Sequence, residues 1–236
     1  MWLHRAGDPR LMHIRLLDDV AAPDPDNLHE WVAGAAAVPQ VTTIRTSALF
    51  PSVAERFRAV GFEVADTLAL LRADLRGRQR SGSRRGPAGA DIATRRLTRR
   101  YAPEAAAVDR AAFGAWWSND AADIEQIRQA TPHHRARVLF GPRGPVGRRV
   151  PAFAIAGASS QHGYLQRLSV DPAVQRRGHG RALTRDAMGW MQRRGLPDCL
   201  VNTSVNNDAA LALYASEGFE RLEDQLQVLH YRVPDR

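Results

Sequence analysis

The stretch from Tyr164 to Ser204 leaves the chain few shapes. An apolar run ends at Val170, Asp171-Pro172 turns the chain, and Gly178 and Gly180 open a segment whose apolar positions are Leu183, Ala187, Trp190 and Met191. A second apolar run then begins at Cys199. The outer runs read as strands (164–170 and 199–204) and the middle as a helix (180–194). A strand–helix–strand unit of this length makes its two strands a parallel pair. The elements around it are mostly strands: 92–98, 135–140 and 151–157 before it, and 226–233 after it. Helices are read over 103–117, 121–131 and 208–217. The expected fold class is therefore α/β, a mostly antiparallel mixed sheet with flanking helices and a parallel pair at its core.

The two glycines also let the backbone approach a ligand closely, and the free N–H groups and dipole of a helix start suit a phosphate. Arg176, Arg177 and Arg181 add positive charge suited to a pyrophosphate or a ribose phosphate. The loop is not a Walker loop, since it lacks the Gly-Lys-Ser/Thr ending. It also lacks the third glycine and downstream acid of a dinucleotide fingerprint. Further on, Asn207 precedes a helix with Ala210, Leu213 and Tyr214 on one face, and Gly218 supplies its left-handed stop. Taken alone, Tyr214 fits a core aromatic as well as it fits a reactive group.

Taken together, the two stretches resemble the GNAT superfamily of N-acetyltransferases. The residues that carry the resemblance are Leu168-Ser169-Val170, then Gln175-Arg176-Arg177-Gly178-His179-Gly180, then Asn207, Ala210, Leu213-Tyr214 and Gly218-Phe219, in order and at family spacing. The resemblance covers 91–236. Within the superfamily the pattern is closest to the ribosomal-protein alanine N-acetyltransferases, through the Val-Asp-Pro turn and the Leu-Tyr-x-x-x-Gly-Phe helix end. It implies acetyl-CoA as acetyl donor and direct transfer to an amine. It also implies that the pantetheine arm pairs with the backbone of Leu168, Ser169 and Val170, where an N–H near Val170 polarises the thioester carbonyl. Gln175, Arg176, Arg177, Gly178, His179, Gly180 and Arg181 would hold the pyrophosphate, His179 through its N–H. Asn207 would orient the cofactor arm and Tyr214 would protonate the departing thiolate. Many relatives carry a glutamate base near the strand before the loop, but Tyr164, Gln166 and Arg167 stand there. Tyr164, His162 through a water, or an amine delivered neutral all stay open. Trp116 and Trp117 fall where relatives build the acceptor lip, although packing is the commoner role of such a pair.

The first third of the chain reads as strand (11–17), helix (28–37), strand (41–47), helix (52–60) and strand (64–71). Its end echoes the end of the chain. Phe57-Arg58-Ala59-Val60-Gly61-Phe62-Glu63 matches Tyr214-Ala215-Ser216-Glu217-Gly218-Phe219-Glu220 in layout, and an apolar strand follows each. This suggests a degenerate partial repeat over 1–75 that lacks the glycine loop, hence a tandem arrangement. Such a layout also resembles tandem mycothiol synthases, and a small-molecule acceptor of aminoglycoside, polyamine or amino-sugar kind stays open beside a protein N-terminus or lysine.

Charge marks the boundary. The chain carries a net +8, and the segment 71–101 alone holds ten arginines against two aspartates. Its centre, 77–89, is rich in Gly, Ser and Arg without apolar period, so 76–90 reads as a linker between 1–75 and 91–236. It interleaves no aromatics, so a nucleic-acid partner is not expected. All 33 basic residues are arginine, so if the protein transfers acyl groups to lysines it cannot modify its own side chains that way. No apolar run reaches the ~18 residues of a membrane span, and a signal-peptide pattern is missing from the start. The lone Cys199 forms no internal disulfide and reads as core, which points to the cytoplasm. No Cys/His cluster suggests a metal. A homodimer, and a non-catalytic acyl-CoA-binding role, stay open.

Overall fold

A computed structural model of the protein describes residues 2–5, 8–16, 23–77, 92–141, 143–144 and 147–234. In chain order the elements are β1 (Trp2–Arg5), β2 (Leu11–Arg15), α1 (Pro25–Ala36), β3 (Thr43–Thr46), α2 (Pro51–Ala59), β4 (Glu63–Asp74), β5 (Arg95–Arg96), α3 (Ala102–Trp117) and α4 (Ala121–Gln129). Then follow β6 (His133–Leu139), β7 (Arg143–Gly144), β8 (Gly147–Arg148), β9 (Ala152–Ala158), β10 (Gly163–Val170), α5 (His179–Arg193), β11 (Asp198–Ser204), α6 (Asp208–Ser216) and β12 (Glu220–Arg232). The chain forms two compact units, one of 1–70, 202–208 and 221–236, the other of 71–201 and 209–220. Most of the expected 76–90 linker lies outside the described residues.

In the first unit β2 and β3 run parallel, Leu11 opposite Thr43 through Ile14 opposite Thr46. β1 pairs antiparallel with β2, and β12 with β3. Asp24 caps α1 by accepting from the Asp26 N–H at 2.9 Å, with Pro25 preset at the first helical position. Both helices bury their apolar faces, with Leu28, Val53 and Phe57 packing with Ile14, Ile44 and Leu229.

The second unit holds the strand order β5-β6-β9-β10-β11. β6, β9 and β10 pair antiparallel in turn, and β10 meets β11 in parallel, the expected mixed sheet. Ile124 and Val108 from α4 and α3 pack on Val138, Phe153 and Ile155, while α5 buries Leu183, Ala187, Met188 and Met191. Several bounds differ from expectation for local reasons. The strand expected over 92–98 shrinks to two residues, and just before it the Thr94 carbonyl is taken by a side chain, accepting from Arg137 Nη2 at 2.8 Å. α3 is interrupted at Gly114, whose φ of 73° no helix holds. β12 begins six residues before the expected Leu226, taking in the largely exposed run 220–225, where a single leucine leaves no apolar alternation to mark a strand.

Asp186 of α5 joins this unit's helix to its sheet. It accepts from Arg135 Nε at 2.7 Å and from Thr94 Oγ1 at 2.9 Å. Burial opposes its ionisation, but the hydrogen bond and charge of Arg135, with Thr94 and Arg137, outweigh it and hold the carboxyl below its usual range. Because the folded pKa is depressed, the stabilisation is present above the unfolded aspartate value, about 4. It is lost as pH falls through the lower folded value. Asp186→Asn is therefore expected to cost about 2–3 kcal/mol at pH 7. Urea midpoints of wild type and variant should converge as the solution is acidified, and a gap that persists at acid pH would contradict this.

Candidate active site

β10 and β11 are hydrogen-bonded over only two positions, Gly163 opposite Cys199 and Tyr164 opposite Leu200. Beyond Tyr164 this pairing stops, while the other edge of β10 stays bonded to β9 through Leu168–Ala154, Ser169–Phe153 and Val170–Ala152. A register shift between Leu165 and Arg167 marks a bulge at the same point. Leu168, Ser169 and Val170 thus form a strand segment parted from its parallel neighbour, the arrangement into which an extended ligand can pair.

The glycine loop follows directly. Asp171 accepts from the Ala173 N–H at 3.0 Å and closes the turn, and Gln175 Nε2 donates to the Val170 carbonyl at 3.3 Å. Arg176 and Gly178 have positive φ, 61° and 80°. Gly178 is the N-cap of α5 and no side chain caps it. A Cβ on Gly180 would stand 3.1 Å from Leu213, 3.7 Å from Val170 and 3.9 Å from Leu168, so α5 starts hard against strand end and α6. Arg176 and Arg177 are exposed. Arg181 is paired with Glu217, at 2.9 Å, and donates to Ser216 Oγ at 3.2 Å. Burial, and then Arg177, lower the His179 pKa against the Val174 backbone, so its ring is neutral at pH 7.

Tyr214 is buried, its ring 5.3 Å from Phe219. Burial first, then Cys199, push its hydroxyl well above the usual tyrosine value, and Arg167 acts in the opposite sense. Its proton is therefore held at neutral pH. Asn207 is grouped with the first unit, where its amide donates to Thr203 Oγ1 at 3.2 Å. Tyr164 lies 6.4 Å, ring to ring, from His162, whose Nδ1 is 2.9 Å from Asp198 Oδ1. Trp116 and Trp117 meet edge to face at 6.4 Å, with Trp116 exposed. A cleft of about 530 Å³ between Leu97, Arg99, Ile124 and Arg128 is lined by none of the candidate residues.

The Ser169 side chain is buried and donates to Asp109 Oδ1 at 2.6 Å, which leaves its backbone as the part that faces a ligand pairing with β10. Asp109 itself went unseen in the sequence, although it continues the buried Ala105–Val108 stripe of α3. A carboxylate on an apolar helical stripe is the signal that could have found it.

A model of the acetyltransferase (GNAT) family matches residues 111–219. The chain is 34% identical over 104 residues to a [ribosomal protein bS18]-alanine N-acetyltransferase of Salmonella typhimurium, covering 41% of this chain and 70% of that protein. The chain belongs to the GNAT acetyltransferase family. It is also 27% identical over 205 residues to a mycothiol acetyltransferase of a Nocardioides species, a match spanning 77% of this chain and 66% of that protein, just under two thirds of its length. Among solved structures, a tandem GNAT protein from the clavulanic acid biosynthesis pathway shares the fold with a TM-score of 0.63 at 14% identity, over 96% of this chain and 76% of that one.

The residues of this GNAT chain fit acetyl-CoA on their own chemistry. An uncapped helix start behind a left-handed glycine, two exposed arginines and a parted strand match a ligand with a phosphorylated head and an amide-bearing arm. Among the described residues no group of three metal-ligating side chains occurs, and no helix is long and apolar enough to cross a membrane.

Proposed function

We propose that this protein transfers the acetyl group of acetyl-CoA to an amine, most directly a protein or peptide N-terminus or a lysine. The observation that carries the reading is the parting of β10 from β11 just ahead of the uncapped glycine loop. Acetyl-CoA supplies the acyl group as an activated thioester. Arg176, Arg177 and the first amides of α5 bind its phosphates, and the free edge of β10 at 168–170 aligns its arm. An N–H near Val170 donates to the thioester oxygen. Tyr214, protonated and buried, donates to the sulfur as it leaves. Of the routes for the proton of the attacking amine, an amine delivered neutral needs no side chain beside Val170 and gives its proton to solvent, whereas His162, Asp198 and Tyr164 stand together at the opposite end of β10, roughly 20 Å of strand away.

The 1–75 segment is proposed to be a worn copy of the same unit. Each segment runs strand, helix, parallel strand, helix, strand. The helix ends agree bond for bond: Phe62 N–H donates to the Phe57 carbonyl at 3.1 Å, and Phe219 N–H to the Tyr214 carbonyl at 3.0 Å. Gly61 and Gly218 both have positive φ, and the aromatic pairs stand 5.2 and 5.3 Å apart. At the Tyr214 position the copy has Phe57, which has no proton to give. Its parallel strands stay paired over four positions, where β10 and β11 part after two. Both differences fit a partner that holds no acetyl-CoA.

A small-molecule amine is the second reading, favoured by the mycothiol acetyltransferase match over 77% of the chain. Acetyl-CoA turnover against peptides with free N-termini, lysine peptides, polyamines and amino sugars separates the two. Peptide acetylation without amino-sugar acetylation is the expected result, and the reverse would favour the second reading. Because the chain has no lysine, acetyl-lysine in the assay comes from the acceptor.

A further inference from the structure

Asp109 is fully buried on α3 and receives five hydrogen bonds. Arg167 Nε and Nη2 donate to its two oxygens at 2.7 Å each, and Ser169 Oγ donates to Oδ1 at 2.6 Å. The backbone N–H and side-chain amide of Asn119 donate to Oδ2 at 2.7 and 3.1 Å. Two carboxylate oxygens offer roughly four lone-pair sites, so the acceptor is saturated. Arg167 commits three of its five N–H groups around this carboxylate. Its Nη2 also donates to the Trp117 carbonyl at 2.9 Å, and its guanidinium stacks 3.7 Å over the Phe113 ring.

The placement of these partners is not that of an ordinary core ion pair. Arg167 and Ser169 flank Leu168, in the segment that has lost its parallel neighbour. Arg167 also sits where the β10–β9 register resumes after the bulge. A strand bonded along one edge alone has freedom to shift register or lean into the gap. Two side chains, one residue apart and fixed to a single buried carboxylate, remove that freedom from the α3 side. The remaining donors come from the corner between α3 and α4, which carries the Trp pair.

We propose that Asp109 is a positioning residue that holds the 167–169 segment of β10 open for the pantetheine arm and ties the Trp116–Trp117 corner to the same carboxylate. The inference rests on the acetyl-CoA reading and adds a residue that touches neither cofactor nor acceptor. Arg167 also exerts its charge on the Tyr214 hydroxyl, so its orientation bears on the acid as well.

Asp109→Asn strands a half-buried arginine and is a poor first variant. Ser169→Ala and Arg167→Lys are gentler: one deletes a single donor, the other keeps the charge but loses the planar fork. Each is titrated by calorimetry with acetyl-CoA and, separately, with adenosine 3′,5′-bisphosphate, the nucleotide end of CoA without the arm. Both variants are expected to bind acetyl-CoA about 5- to 20-fold more weakly and to bind the bisphosphate as wild type does. A parallel loss for both ligands, or unchanged acetyl-CoA binding, would overturn the positioning role, as would loss of the native near-UV circular dichroism in both variants. Wild-type protein that binds neither ligand would instead sink the acetyl-CoA reading, and this inference with it.

Discussion

Tyr214→Phe is expected to lower kcat by about 10²- to 10⁴-fold while leaving acetyl-CoA affinity unchanged. The hydroxyl sits on a side chain that burial and Cys199 keep protonated, so the acid form is fully populated at pH 7. Removing one oxygen leaves the ring contact with Phe219, and with it the helix end. The effect should therefore fall on the departure of the thiolate rather than on binding. Single-turnover release of free thiol, compared with calorimetric binding, separates the two quantities. An unchanged turnover rate would remove Tyr214 from the acid role. A loss confined to binding would place it among packing residues.

Gly180→Val is the second large effect, and it acts on binding. A Cβ at this position meets Leu213 at 3.1 Å, and two branching methyls reach further toward Val170 and Leu168. Overpacking of this kind costs about 1–3 kcal/mol. If the start of α5 yields by moving away from the strand end, that energy is taken from the phosphate cradle. Acetyl-CoA binding should then weaken roughly 10- to 100-fold, at about 1.4 kcal/mol per tenfold. Gly178→Ala provides a useful contrast, because its cost comes from a φ of 80° rather than from contact; its Cβ would be 3.7 Å from Ile92. Comparable, undiminished affinity in Gly180→Val would show that the tight approach serves packing alone.

Much of this was legible in the chain because the relevant constraints are local. Two glycines before an amphipathic run dictate a loop and a helix start, and α5 begins at His179, between them. Gly218 after an aromatic helix dictates the stop, and its φ is 75°. What could not be read depends on residues far apart in sequence. Asp109 meets Arg167 and Ser169 across about sixty positions, and Asp198 meets His162 across thirty-six. A single sequence gives no distance between such residues. Arg181 likewise has a partner distant in sequence, Glu217 just past the end of α6, that its place in the loop does not reveal. Strand pairing was hidden for the same reason. Nothing local assigns β12 to the first unit, where it pairs with β3, or assigns 71–74 to the second.

The central claim is that the Gln175–Arg181 loop and the open edge of β10 hold acetyl-CoA. Calorimetric titration of acetyl-CoA into the full chain tests it without knowledge of the acceptor. Saturable binding at about one site per chain, in the micromolar to low millimolar range usual for substrates, is the expected result, with marked weakening in an Arg176→Glu/Arg177→Glu double variant. Absence of saturable binding at millimolar acetyl-CoA, or binding indifferent to both arginines, would contradict it.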